Sequence, residues 1–173
     1  MRKATLPLLI FLMTLTCIGC DQITKEYARD HLLYGAQITL VEDVVHLAYT
    51  ENSGIAFGIG GEWSHVVRFW LFGVGIVAVL LVIAFVAYRR RERGPFFLGG
   101  LTLIMAGGAS NLIDRMMNNG QVVDFVVVHV GGLSTIVFNL ADILIVTGAV
   151  VLVVSATKFG SSTARSDGVD QAQ

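Results

Sequence analysis

With 173 residues, 54% of them hydrophobic and only 14% charged, the chain is too apolar for an ordinary soluble domain and belongs with multi-span membrane proteins. Its mean hydropathy of +0.71 points the same way. A formal net charge of −1 leaves no electrostatic footprint for nucleic acid, so the information lies in where the charges stand.

Arg2 and Lys3 precede a first apolar run, 4–20. Its ending, Cys17-Ile18-Gly19-Cys20, has the form of a secretory signal closing on a lipid-acceptor cysteine. Three further apolar runs follow, and Cys17 is a poor first residue for such a box, so the segment reads as an uncleaved first helix. The two cysteines lack the second pair or His cluster that zinc requires and read as packing residues. At the end of this run Asp21 and Lys25 stand four apart, where they pair along one helix face.

Residues 36–61 have strand character. Gln37-Ile38-Thr39-Leu40-Val41 alternates polar and apolar, and 44–50 follows with Val, His and Tyr. Gly54, Gly58, Gly60 and Gly61 make a mobile flap conceivable there. Trp63 and Trp70 flank the start of the second run, 69–88, as interfacial aromatics do. Arg89, Arg90, Arg91 and Arg93 fill the short link to the third, 94–113. Within it Gly100, Gly107, Asn111 and Asp114 share one helix face. Gly100 reads as packing, whereas Asn111, Asp114 and Arg115 are each costly against lipid. Val122–Val130 and 133–137 are β-branched runs separated by Gly131-Gly132, which predicts a hairpin with a two-residue turn. The fourth run, 143–157, qualifies as a span if it begins near Val137, and the polar tail 159–173 is expected to be a disordered cytoplasmic segment.

A span needs about 20 apolar residues. Four are predicted, at roughly 5–25, 66–88, 95–113 and 137–158, forming with their connections one membrane domain over 1–158. All basic clusters then fall on one side, so both termini are cytoplasmic and 26–65 and 114–136 are periplasmic. The fold class is a membrane protein, mainly α, with four transmembrane helices and a small β-sheet cradle on the periplasmic face.

Two acids stand out on that side. Asp124 follows Val122-Val123, and Asp142 lies at the mouth of the last span. A carboxylate costs roughly 2.5–3.5 kcal/mol at the centre of a spanning helix, so acids near lipid mark functional sites. The sequence has neither His-Glu-x-x-His nor Gly-x-Ser-x-Gly, so neither a zinc-peptidase nor a serine-hydrolase motif stands beside the two acids. A proton-coupled transporter would carry mid-span charges and internal repeats; here the polar residues cluster at the outer ends. A lipid-binding scaffold gives no reason for two acids beside two asparagines.

Five blocks carry a resemblance. They are Asp21-Gln22-Ile23-Thr24-Lys25; Asn52-Ser53-Gly54-Ile55-Ala56-Phe57; Gly107-Gly108-Ala109-Ser110-Asn111-Leu112-Ile113-Asp114-Arg115; Val123-Asp124-Phe125; and Phe138-Asn139-Leu140-Ala141-Asp142. With them the chain resembles the lipoprotein signal peptidases (signal peptidase II), aspartyl peptidases of the bacterial inner membrane. The resemblance implies that Asp124 and Asp142 are catalytic. It implies supporting or substrate-binding roles for Asp21, Lys25, Asn52, Gly54, Gly108, Asn111, Arg115 and Asn139, with no metal and no cofactor. The implied partners are membrane lipids and diacylglyceryl-modified prolipoproteins cut just before the lipidated cysteine, and the implied inhibitors are cyclic peptides such as globomycin. Asn52, Asn111, Arg115 and Asn139 are expected to position the substrate backbone and lipid headgroup region. Asp114 is expected to pair with Arg115 or cap the hairpin. Which aspartate carries the shared proton is left open.

Overall fold

A computed structural model of the protein describes residues 2–54, 59–130 and 134–167. Helix α1 runs Arg2–Leu32. Strands β1 (Gln37–Val41) and β2 (Val45–Asn52) follow. The second apolar element begins as α2 (His65–Arg68), where Ser64 Oγ accepts the Val67 N–H. It passes through a π-helical turn at Phe69–Val74 and ends as α3 (Gly75–Arg89). Helix α4 (Pro95–Met117) starts on a proline at the position where its missing N–H costs nothing. Strands β3 (Val122–Val130) and β4 (Ser134–Phe138) lead into α5 (Leu140–Asp167).

Among the described residues four helices are long and apolar enough to cross a bilayer: Leu6–Leu32, His65–Arg89, Pro95–Met117 and Leu140–Thr157. Their outward Leu, Val and Phe side chains are exposed, as a lipid-facing surface requires, while α4 is the most buried of the four. Two elements outrun their sequence expectation. Helix α1 continues to Leu32 because Gln22, Lys25 and Arg29, one turn apart, bond to Ser110, Asn111, Asp114 and Asn118 at α4, while Glu26, Asp30 and His31 stay exposed. Helix α5 continues to Asp167, into the stretch expected to be disordered. Extending an existing helix costs far less than nucleating one.

Close approach of α4 and α5 is built on glycine. A Cβ at Gly148 would lie 2.6 Å from the Gly100 carbonyl oxygen, and one at Gly107 would fall on the Ala141 carbonyl oxygen. The small-residue stripe read from the sequence is therefore the seam between these helices.

The four strands form one antiparallel sheet in the order β1-β2-β3-β4, assembled from both connecting segments. Ile38 pairs with Leu47, Leu47 with Val126, and Val126 with Phe138. Between Leu47 and Thr50, β2 has one residue more than β3 has between Val126 and Asp124. This bulge sits immediately beside Asp124, where an extra residue adds local twist and re-aims neighbouring side chains. Val130 pairs with Ser134, so three residues rather than two separate β3 from β4. The Gly131-Gly132 turn itself lies outside the described residues, as does Gly58 of the conceivable flap. Gly60 has φ +81°, and a Cβ there would strike the Phe72 and Trp63 rings.

Candidate active site

The end of α1 meets α4 through a buried ionic cluster. Lys25, 3% exposed, places Nζ 2.6 Å from Asp21 Oδ2 and 3.0 Å from Asp114 Oδ2. The expected Asp21–Lys25 pair is present, but Asp114 pairs with Lys25 and not with Arg115. Neighbouring residues on a helix point about 100° apart, so Asp114 faces α1 while Arg115 faces the other side. Asp114 also accepts the Val123 N–H (3.0 Å), which caps the start of the hairpin as expected. Gln22 Nε2 donates to Asp114 Oδ1 (2.8 Å) and Ser110 Oγ (3.0 Å), and Ser110 Oγ donates to Asp21 Oδ2 (2.7 Å). Sequence reasoning did not single out Gln22 or Ser110; their signal was a place beside Asp21 and a spacing of four from Asp114.

The same cluster starts α5. Asp21 Oδ1 accepts the Ala141 N–H (2.8 Å). Asn139 Oδ1 accepts the Asp142 N–H (3.0 Å), and Asp142 Oδ2 accepts the Asn139 N–H (3.2 Å). This reciprocal pair is a capping box with Asn139 as the cap and Asp142 three residues on. Asp142 thus owes its placement to the otherwise unpaired N–H groups of a helix start.

Three asparagines then hold the two acids, each oriented by a partner that can only donate. Gly54 N–H binds Asn52 Oδ1 (2.9 Å), turning Asn52 Nδ2 to Asp124 Oδ2 (2.9 Å). Asp142 N–H binds Asn139 Oδ1, turning Asn139 Nδ2 to Asp124 Oδ1 (2.7 Å). Lys25 Nζ binds Asn111 Oδ1 (2.8 Å), turning Asn111 Nδ2 to Asp142 Oδ1 (3.0 Å). Asn139 hydrogen-bonds both acids. The asparagines therefore orient the aspartates. Arg115 Nη2 donates to the Gly54 carbonyl (2.8 Å), Nη1 to the Asn111 carbonyl (3.3 Å), and the guanidinium lies 5.8 Å over the Phe72 ring. It ties the segment after β2 to α4.

Both acids line one cleft of about 660 Å³ with Asn52, Gly54, Gly108, Asn111 and Arg115. Gly108 borders it opposite Leu80 of α3. Below the acids the walls are apolar: Ile76 and Val79 of α3, Ile104 of α4, Ile145 and Val146 of α5. Among the described residues no three His, Cys, Asp or Glu side chains are grouped as metal ligands would be.

Asp124 is 2% exposed. Burial pushes its carboxyl up to about 6, and the charge of Asp142 adds to this; hydrogen bonds from Asn52 and Asn139 and the charge of Lys25 oppose it. In the unfolded chain the same group titrates near ~3.9. The folded state therefore holds this proton more tightly, and its contribution to stability is complete below about pH 4 and lost as pH rises through about 6. Unfolding midpoints in detergent at pH 4.5, 6.0 and 7.5 should show that decline, and Asp124→Asn should lack it; equal pH dependence in the two proteins would place the titration elsewhere.

A family model described as signal peptidase (SPase) II matches residues 13–158. The lipoprotein signal peptidase of Chlorobium phaeobacteroides is 36% identical over 162 residues, covering 87% of this chain and 97% of that protein. That of Clostridioides difficile is 33% identical over 158 residues, covering 90% and 99%. Two solved structures described as bacterial membrane enzymes share the fold. One has TM-score 0.75 at 23% identity, covering 89% of this chain and 90% of its own, and the other 0.72 at 22%, covering 86% and 92%.

Proposed function

The chain belongs to the signal peptidase II family of aspartic peptidases, and on that premise we propose that it removes signal peptides from diacylglyceryl-modified prolipoproteins, with Asp124 and Asp142 as the hydrolytic carboxylates. The observation that carries this is Asn139, whose one side chain hydrogen-bonds Asp124 and the N–H of Asp142 and so joins two acids that line a single cleft. Two acids so placed share a proton. The ionised one takes a proton from water as the water oxygen bonds to the scissile carbonyl carbon. The protonated one donates to the carbonyl oxygen. The C–N bond then breaks as the leaving nitrogen takes the proton drawn from water and a hydroxyl of the tetrahedral intermediate returns a proton to the second acid, giving a carboxylic acid and an amine.

The apolar walls below the acids suit the hydrophobic signal segment and the acyl chains of the lipidated cysteine. An anchor in lipid fixes the depth of the neighbouring peptide bond, so the cut falls just before that cysteine. Residues 1–158 act as one membrane domain in the bacterial inner membrane. Both termini lie on the cytoplasmic side with the arginines at 89–93, and the acids, at the opposite helix ends, face the periplasm. Inhibition by cyclic peptides such as globomycin belongs to the same assignment. The purified protein in detergent should cut a diacylglyceryl-modified prolipoprotein so that the product begins at the lipidated cysteine, read by mass spectrometry. A cut at another bond, or equal rates on the unlipidated precursor, would overturn the substrate assignment.

A further inference from the structure

We propose that Lys25 is a positioning residue for peptide hydrolysis, acting through the Asn111 amide to hold Asp142 as the water-activating carboxylate and leave the shared proton on Asp124. This rests on the Asp124–Asp142 assignment above. An ammonium has three donors and no acceptor. Those of Lys25 go to Asp21 Oδ2, Asp114 Oδ2 and Asn111 Oδ1, so nothing in its geometry is left to turn. A flipped Asn111 would aim its NH2 at the ammonium and its oxygen at a carboxylate, which are two repulsive contacts. The amide is therefore locked with Nδ2 toward Asp142 Oδ1, while Asp142 Oδ2 takes the Asn139 N–H.

The environments of the two acids differ. Asp142 lies in the first turn of α5, where aligned peptide dipoles favour an anion, and it is only half-buried, so water reaches it. Asp124 is buried, and its carboxyl oxygens accept from the neutral amides of Asn52 and Asn139. A buried carboxyl with neutral partners favours its protonated form. The charged groups around the pair are Asp21 and Lys25 from α1, Asp114 and Arg115 from α4, Asp124 from β3 and Asp142 from α5. The Arg115 guanidinium donates to the carbonyl oxygens of Asn111 and Gly54. In the reaction the water proton passes to Asp142 as oxygen attacks carbon and the Asp124 proton is donated to the carbonyl oxygen; as C–N breaks, Asp142 gives its proton to the leaving nitrogen and a hydroxyl of the tetrahedral intermediate returns a proton to Asp124.

The test is a double substitution, Lys25→Met with Asp114→Asn, which removes one cation and one anion and so leaves the net charge unchanged. In the folded variant kcat on a lipidated prolipoprotein should fall about tenfold, the worth of one charge-assisted hydrogen bond. The acidic limb of the kcat–pH profile should rise by about one pH unit, with KM little changed. Asn111→Ala should reproduce both changes and add nothing in the double-substituted background, because both act on one interaction. An unmoved acidic limb, or losses that simply add, would reduce Lys25 to a structural ion and overturn the proposal. Should Lys25→Met/Asp114→Asn not fold, Asn111→Asp decides. It keeps an acceptor for Lys25 but turns an oxygen on Asp142, so the acidic limb should rise; an unchanged limb overturns the proposal. Asp124→Asn and Asp142→Asn in the same assay test the dyad separately, since activity in either defeats that assignment whatever Lys25 does.

Discussion

Replacing either Asp124 or Asp142 by Asn should lower kcat on the order of 10³–10⁴-fold in protein that remains folded. Positioned proton transfer is worth up to about 10⁴, and in the proposed mechanism each acid supplies one arm of it. The replacements also disturb the hydrogen bonds in a defined way. Both oxygens of Asp124 accept from amides, so an Asn there must turn its NH2 toward the NH2 of Asn52 or Asn139. At 142 the introduced NH2 must face Asn111 Nδ2 or the Asn139 N–H. Each variant should therefore lose about 1–3 kcal/mol of stability besides its activity. Unfolding in detergent must be read beside the cleavage assay. The double substitution should be little worse than either single one, because the acids act as a unit. A folded variant within tenfold of the parent rate would remove that acid from the chemistry.

Gly107→Ala should have the second-largest effect, although Gly107 is not among the residues that line the cleft. The added Cβ would fall on the Ala141 carbonyl oxygen and crowd the Ile145 side chain. Backbone cannot turn aside as a flexible side chain does, so α4 and α5 must part. Asn111 lies one turn along α4, and Ala141 immediately precedes Asp142 on α5, so the separation is felt directly across the Asn111–Asp142 hydrogen bond. A displacement near 1 Å from a remote change costs about 10²-fold in rate. Overpacking of this kind costs roughly 1–3 kcal/mol in stability. Gly99→Ala is the control: a Cβ there has no other atom within 4 Å. Near-parental kcat and melting for Gly107→Ala would mean that the helix seam has room to spare.

Much of this arrangement is legible in the amino-acid sequence. The four apolar runs, the Asp21–Lys25 pair and strand β3 over Val122–Val130 all follow from local pattern. The small-residue stripe of α4 correctly marks a buried face. Asp114 shows where local pattern stops. Its neighbour Arg115 is the obvious partner in one dimension, but helix geometry sends the two side chains to different elements, and the true cation comes from α1. The asparagines mark a second limit. An amide looks the same from either end in a sequence, and which end faces an acid depends on donors such as the Gly54 N–H and the Lys25 ammonium, which folding brings in from elsewhere. The extra turns of α1 were hidden for a related reason: polar residues after an apolar run look like a helix end until the partner that buries them is known.

The register of the β3–β4 hairpin has a consequence for how the protein meets bilayers of different thickness. Val126 pairs with Phe138, and Asn139 follows directly, so the chain between the two acids is closed by strand pairing and a helix cap. Their spacing is thus fixed at the sheet–helix junction and does not depend on how far the spanning helices tilt. A thinner or thicker bilayer tilts or strains those helices at a cost of fractions of a kcal/mol per Å. Such a change carries the acid pair up or down as one caliper, jaws unmoved. Bilayer thickness would then change how readily the bond beside an anchored cysteine reaches the jaws, while the spacing between them stays the same.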